Sequence, residues 1–130
     1  DLYNFPKNKF VANFIGDANV VKIEIINKQS NSYELKLAEL NLKIESDKDL
    51  NENTLVALRP EKIKIDRNNN NKCIHGTVNN ASFVGSSYQY IVNSKIGKLY
   101  VISSDTNDIF KIDEEVFLSI DEKDIKVLND

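Results

Sequence analysis

Cys73 and His75 are the residues of this 130-residue chain whose types most readily suggest reactivity. They stand one strand step apart on the same face, a spacing that suits a thiol–imidazole dyad or two ligands of a metal. A closed zinc site takes four ligands, and the chain holds one cysteine and one histidine. A nucleophilic dyad needs a pocket and an oxyanion hole, and no segment carries the signature of either. The plainer reading is two structural residues on a strand. Carboxylates form a second group, at Asp105 and Asp108, at Asp113 to Glu115, and at Asp121, Glu122 and Asp124. Such runs are usually solvated rims; the functional alternative is a cation-binding face. Arg59 is one of two arginines among many lysines. Its planar fork can hold several carbonyls or a carboxylate at once, and Glu61 shares its face if the chain stays extended. Arg59 then braces two strands at a corner or contacts an anion or partner. Tyr88 and Tyr90 alternate on one strand face, where bases could stack. A net charge of −3 favours packing over nucleic acid for them. The four glycines, at 16, 76, 85 and 97, are isolated, so no phosphate-cradling loop is present.

Composition bounds what can hold these residues. Hydrophobic content of 41% with 28% charged residues fits one soluble globular domain. No apolar run approaches the roughly 20 residues that span a bilayer. A single cysteine excludes an internal disulfide and is compatible with a reducing compartment. The absence of methionine implies a piece of a longer polypeptide, or a processed one.

The pattern predicts one helix, within Leu2 to Gly16. Pro6 suits its first turn and Gly16 its end, and Phe10, Val11, Phe14 and Ile15 form one apolar stripe. Short strands follow. Val21, Ile23 and Ile25 alternate with charged residues; Tyr33, Leu35 and Leu37 make a second inward row; Leu40, Leu42 and Ile44 make a third. The parity flip between Leu37 and Leu40 predicts a tight hairpin at Ala38-Glu39, although that is poor turn chemistry. Leu55 to Leu58 reads as a central strand buried on both faces. Pro60 makes a corner, beyond which Ile63 and Ile65 alternate with lysines. Asp66 to Lys72, with four consecutive asparagines, is an exposed loop. Ile74, Gly76 and Val78 share one parity and Ala81 and Phe83 the other, which predicts a bulge near Asn79-Asn80. Gly85-Ser86 turns the chain into Tyr88, Tyr90 and Val92. Leu99 and Val101, then Val116, Leu118 and Ile120, and finally Ile125 to Leu128 supply the remaining strands. Eight or nine short strands with one leading helix make a mainly β fold, and their spacing favours a small closed barrel.

Four segments resemble a known family. PKNKFVANFIGDAN (Pro6 to Asn19) looks like the end of the catalytic domain in ATP-binding subunits of ABC-type importers. LVALRPEKIKI (Leu55 to Ile65) resembles the RPE motif of the TOBE domain, an OB-like barrel that follows it. GTVNNASFVGSSYQYIV (Gly76 to Val92) is similar to a later G-x-V…F-x-G-S segment, and EEVFLSIDEKDIKVL (Glu114 to Leu128) to the closing strand and its acidic tail. The nearest likeness is to spermidine/putrescine importer ATPases; sugar, iron and phosphonate importers share much of the pattern.

The resemblance implies residues 1–17 as a helical tail of an absent ATPase domain and residues 18–130 as an OB-like regulatory barrel. Arg59, Pro60, Glu61, Gly16, Asn19, Gly76, Phe83 and Gly85 carry the family motifs. Phe10, Val11, Phe14 and Ile15 would dock on the ATPase domain. It implies no catalytic residue, metal or cofactor in this piece; ATP and Mg would belong to the absent domain. Expected partners are that domain, a second copy of the subunit as a homodimer, and the membrane permease subunits, with no nucleic acid. The location implied is cytoplasmic, peripheral to the inner face of the membrane. The function implied is a non-catalytic regulatory and dimerisation module of an importer ATPase, for polyamines. Alternatives are an intracellular small-ligand sensor of a sugar, iron or phosphonate importer, or an OB-type single-strand binder.

Overall fold

The structure is a computed structural model that describes residues 18–69 and 72–128. The helix expected at residues 6 to 15, with its apolar stripe and Gly16, lies outside the described residues.

Alternating apolar and polar side chains set the described residues into eleven strands. The row of Val21, Ile23 and Ile25, expected as one strand, is two: β1 (Asn19–Lys22) and β2 (Glu24–Gln29), in different sheets. The chain bends at Ile23, whose N–H turns to Thr54 O at 3.4 Å while its side chain stays buried. β2 pairs with β3 (Ser32–Leu37) and β3 with β4 (Leu40–Glu45) in a three-stranded antiparallel sheet. The Ala38-Glu39 turn is made as expected, with Ala38 at φ +54°. That left-handed conformation costs an alanine about 1 kcal/mol. Burial of Tyr33, Leu35, Leu37, Leu40 and Leu42 on the flanking strands fixes the register that demands it.

β5 (Leu55–Leu58) runs between β1 and β11 (Ile125–Val127), antiparallel to both. It is the central strand that its apolar run predicts, with Val56, Ala57 and Leu58 buried and Leu55 partly exposed. Pro60–Lys62 then form a 3-10 turn, and the chain resumes as β6 (Lys64–Asp66) in another sheet.

That third, five-stranded sheet has the order β6-β10-β7-β8-β9, from β7 (Ile74–Val84), β8 (Ser87–Ser94), β9 (Gly97–Ser103) and β10 (Glu115–Ser119). The expected bulge is present: the β7–β8 register shifts between Val78 and Asn80, opposite Val92 and Ile91. The extra residue turns Ala81 and Phe83 onto the face that Val78 had occupied.

The closed barrel expected from strand spacing is not made; the described strands form three sheets. β6 and β9 approach one another across the curled sheet without a hydrogen-bonded ladder. β6 is three residues long, and the Pro60 turn packs against β9. One apolar core nonetheless joins all three sheets, from Val21 and Leu35 through Val56 and Leu58 to Val92, Val101 and Leu118.

Candidate functional site

The family-motif residues that are described fall in three places, and each is built by local chemistry. The first is the start of β1. Asn19 begins β1, and it is the buried polar residue of the described core, 3% exposed. Its amide nitrogen donates to Leu58 O at 3.1 Å and to Tyr100 O at 3.0 Å, and its amide oxygen accepts from Tyr100 N at 2.8 Å. A primary amide has the donor–acceptor geometry of a peptide unit, so it pairs with Tyr100 on the free edge of β9 as a strand would. It thereby joins two sheets that share no ladder.

The second place is the Pro60 turn. Arg59 is extended at φ −73°, ψ 133°, as the residue before a proline must be, and Pro60 opens the 3-10 turn. The extended path that would put Glu61 beside Arg59 is replaced by this turn, yet the two side chains still meet. Arg59 Nε donates to Glu61 Oε2 at 2.7 Å, and this hydrogen bond holds the Glu61 carboxyl below its ordinary range. Both side chains are substantially exposed, at 56% and 42%. Arg59 therefore pairs within its own turn, while buried Pro60 supplies the packing of that corner.

The third place is the β7–β8 hairpin. Gly76 lies between β8 and β10, and a Cβ there would strike Val92 Cγ1 and approach Asn93 O to 2.8 Å. Close backbone approach is why no side chain fits. Gly85 forms the hairpin turn with φ +68° and open space around it. Phe83, two residues before it, is 58% exposed.

Of the reactive pair, Cys73 is buried and His75 is exposed. His75 Nε2 lies 2.5 Å from Glu115 Oε2, and its ring stacks on Phe117 at 4.9 Å. Among the described residues, no group of three or more His, Cys, Asp or Glu could hold a metal ion. Tyr90 is fully buried, and its hydroxyl accepts from Phe110 N at 3.1 Å; burial pushes its pKa up. It is core, as is Tyr33, whose hydroxyl accepts from Leu50 N and donates to Lys48 O. Tyr88 is half-buried above Tyr90.

The acidic runs are largely engaged. Asp121 faces Lys64 at 3.4 Å, and Glu122 accepts the Lys43 backbone N–H on the outer edge of β4. Arg67, in the loop expected at Asp66 to Lys72, gathers others. Its Nη1 donates to Asp108 at 2.5 Å, its Nε to Glu114 at 2.6 Å and its Nη2 to Ile109 O at 2.8 Å. Its guanidinium also lies 4.3 Å from the centre of the Phe110 ring. The available signal was its type: only two arginines occur in the chain, and a forked, stacked contact of this kind is one that lysine cannot make. An open groove of about 600 Å3 separates β4 from β11. Lys43, Lys48, Lys123 and Lys126 line it beside Glu45 and Glu122, a mixed surface rather than an acidic one.

Curled antiparallel sheets around one core, with a bulged long hairpin and a central strand ending in a proline corner, define an OB-like β domain. Comparison with known proteins sharpens this: residues 56–128 match the TOBE domain, and the chain belongs to that family. It is 30% identical to the Fe(3+) ions import ATP-binding protein FbpC of Fusobacterium nucleatum, over 100% of this chain and 35% of that protein. It is 32% identical to the spermidine/putrescine import ATP-binding protein PotA of Mesomycoplasma hyopneumoniae, over 98% of this chain and 27% of that protein. With PotA of Clostridium acetobutylicum the identity is 38%, over 73% of this chain and 26% of the relative. These relatives are ATP-binding subunits of ABC-type importers, and the chain spans about a third or less of their length. A solved structure of the cytoplasmic molybdate-binding protein ModG superposes with a TM-score of 0.65 at 9% identity, covering 84% of this chain and 94% of that one. That likeness is one of fold.

Proposed function

We propose that this chain is the non-catalytic regulatory and dimerisation domain of the ATP-binding subunit of an importer that carries polyamines. The observation that carries the reading is the match of the whole chain, from before β1 to β11, to one contiguous part of importer ATP-binding proteins. Nothing in its reactive residues competes with that assignment. His75 is paired with Glu115, Cys73 is buried, and Arg67 donates to two carboxylates and a carbonyl. The physical role is tethering: a contact between appendages raises the effective concentration of one ATPase half near the other. Its own ATPase domain, a second copy of the subunit and, through the ATPase domain, the permease are the partners. The complex sits on the inner face of the membrane. Polyamine as cargo is supported by the two spermidine/putrescine relatives, at 38% and 32% identity.

A second reading, Fe(3+) as cargo, has a specific observation behind it, the FbpC relative at 30% identity over the full chain. Reconstitution of the longer subunit with its permease and solute-binding protein separates the two. Spermidine-stimulated ATP hydrolysis and uptake support the polyamine reading; stimulation by Fe(3+) with none by spermidine overturns it.

A further inference from the structure

Two side chains of the five-stranded sheet are buried on the face turned away from the core. In β8 and β9, Tyr90 and Val92 pair with Val101 and Leu99, and all four pack in the core. Alternation turns Ile91 and its partner Tyr100 the other way, onto the outer face. Neither belongs to the apolar cluster that joins the sheets, yet they are only 5% and 8% exposed. Gln89 and Ile102, the next pair on that face, are half-buried. The rim is open: Asn80 and Ser82 on β7, Asn93 on β8 and Lys98 on β9 are exposed. An isoleucine and a tyrosine buried at the middle of an outer face, inside a solvated rim, mark the footprint of a covering segment. Among the described elements, β8 packs chiefly on its ladder neighbours β7 and β9, which lie beside this face and not over it. The Pro60 turn packs against β9, one strand short of Ile91.

The nearest candidate cover is on the same chain. The Asn19 side chain bonds to the backbone N–H and C=O of Tyr100, so the residues ahead of Asn19 leave from the edge of this face. β8 stands one strand spacing, about 4.8 Å, inside that edge. Ile15 precedes Asn19 by four residues and Phe14 by five, a reach of up to about 14–18 Å. The stripe of Phe10, Val11, Phe14 and Ile15 needs an apolar surface to cover it, and this one lies within its tether. Any surface on another domain or a second copy competes against that effective concentration.

We propose that Phe10, Val11, Phe14 and Ile15 seat on the outer face of β8 and β9, over Ile91 and Tyr100. The residues ahead of Asn19 then belong to this domain as a strap across its sheet, in place of a linker whose stripe an ATPase domain covers. This seating does not depend on the cargo or on the importer-ATPase reading.

The test places a nitroxide on Lys98→Cys, at the rim of the face, and follows the amide signals of residues 10–15 in the isotope-labelled 130-residue chain. Asn41→Cys, exposed on β4, is the control, and the wild-type chain, whose Cys73 thiol is buried, is the blank. Residues 10–15 are expected to broaden selectively with the Lys98→Cys nitroxide. A mixture of spin-labelled chains without isotope and isotope-labelled chains without nitroxide is expected to show no broadening, because the contact lies within one chain. Thiol labelling is the second readout. Ile91→Cys is expected to react at least about tenfold more slowly than Asn93→Cys, and Phe14→Ser to remove that protection while Cys73 stays unreactive. If Phe14→Ser exposes Cys73 as well, the chain has unfolded and the nitroxide result alone decides. No broadening, equal broadening from both positions, or broadening in the mixture overturns the proposal. So does an Ile91→Cys thiol as reactive as Asn93→Cys, or one whose protection Phe14→Ser leaves intact. Loss of the broadening in the longer subunit also overturns it, since the stripe would then sit on another domain.

Discussion

Asn19 and Tyr100, 81 residues apart in sequence, are paired as two neighbouring strands would be, one through its side-chain amide and the other through its backbone. The same amide nitrogen reaches Leu58 O on β5, so one buried side chain stitches β9 to the β1-β5-β11 sheet. The start of β1 is therefore one of the points that hold the sheets together.

Asn19→Ala is predicted to lower unfolding stability by about 2–4 kcal/mol, because it removes three hydrogen bonds to buried backbone groups at one place. Asn19→Asp costs at least as much, since a carboxylate cannot donate to Leu58 O or Tyr100 O. Urea unfolding measures both, and a loss under about 0.5 kcal/mol for either is incompatible with this pairing.

The two hairpin glycines are predicted to respond differently to alanine. Gly76→Ala drives a methyl against Val92 and Asn93 O and costs about 1–3 kcal/mol by overpacking. Gly85→Ala meets open space and costs only the left-handed backbone penalty, about 1 kcal/mol. Gly85→Asn costs less than Gly85→Ala, because asparagine tolerates that conformation. Thermal melts of the three variants check the order.

Much of this was legible beforehand, for a reason that also marks the limit. Alternation encodes which face a residue takes, so the burial of Tyr33, Leu35 and Leu37 and the bulge beside Asn79 follow from the pattern. The run Leu55 to Leu58 announced a strand with neighbours on both sides, and β1 and β11 are those neighbours. The break at Ile23 was hidden, because a strand that changes sheets can keep its inward parity while it bends. Closure of the barrel misled for a related reason: spacing counts strands but is silent on whether the last ladder forms. Arg67 was missed because its partners, Asp108 and Glu114, lie 41 and 47 residues away. Asn19 was named as a motif residue, yet its role was out of reach, since the groups it binds are backbone atoms that only the fold brings near.

Arg67→Ala is predicted to loosen the segment from Asp105 to Glu114 by freeing Asp108, Glu114 and Ile109 O together and uncovering Phe110. Arg67→Lys restores one ion pair at most and does not rescue fully. Hydrogen exchange of the segment reads this directly: faster exchange at residues 108–111 in both variants, more so with alanine, while β3 and β4 stay protected. Unchanged exchange in Arg67→Ala contradicts the bracing role.

The Glu61 carboxyl is held below its ordinary range by Arg59, so folding favours its ionised form. The sign follows by linkage. The contribution is fully present above the unfolded pKa of Glu61 and is lost as pH falls through the lower folded value. It is small, because both side chains are exposed and screened by solvent and salt. Melting temperature against pH, compared between wild type and Glu61→Gln, is predicted to differ above the carboxylate range and to converge in acid. A gap that widens in acid would mean that the pair works against folding.

If the domain acts in a longer subunit by tethering its ATPase halves, as proposed above, it hydrolyses no ATP by itself. ATP turnover by the isolated 130-residue chain at saturating Mg-ATP, measured beside the longer subunit, decides this. The prediction is a rate indistinguishable from buffer for the chain and sustained hydrolysis for the subunit; turnover by the chain itself would contradict the account.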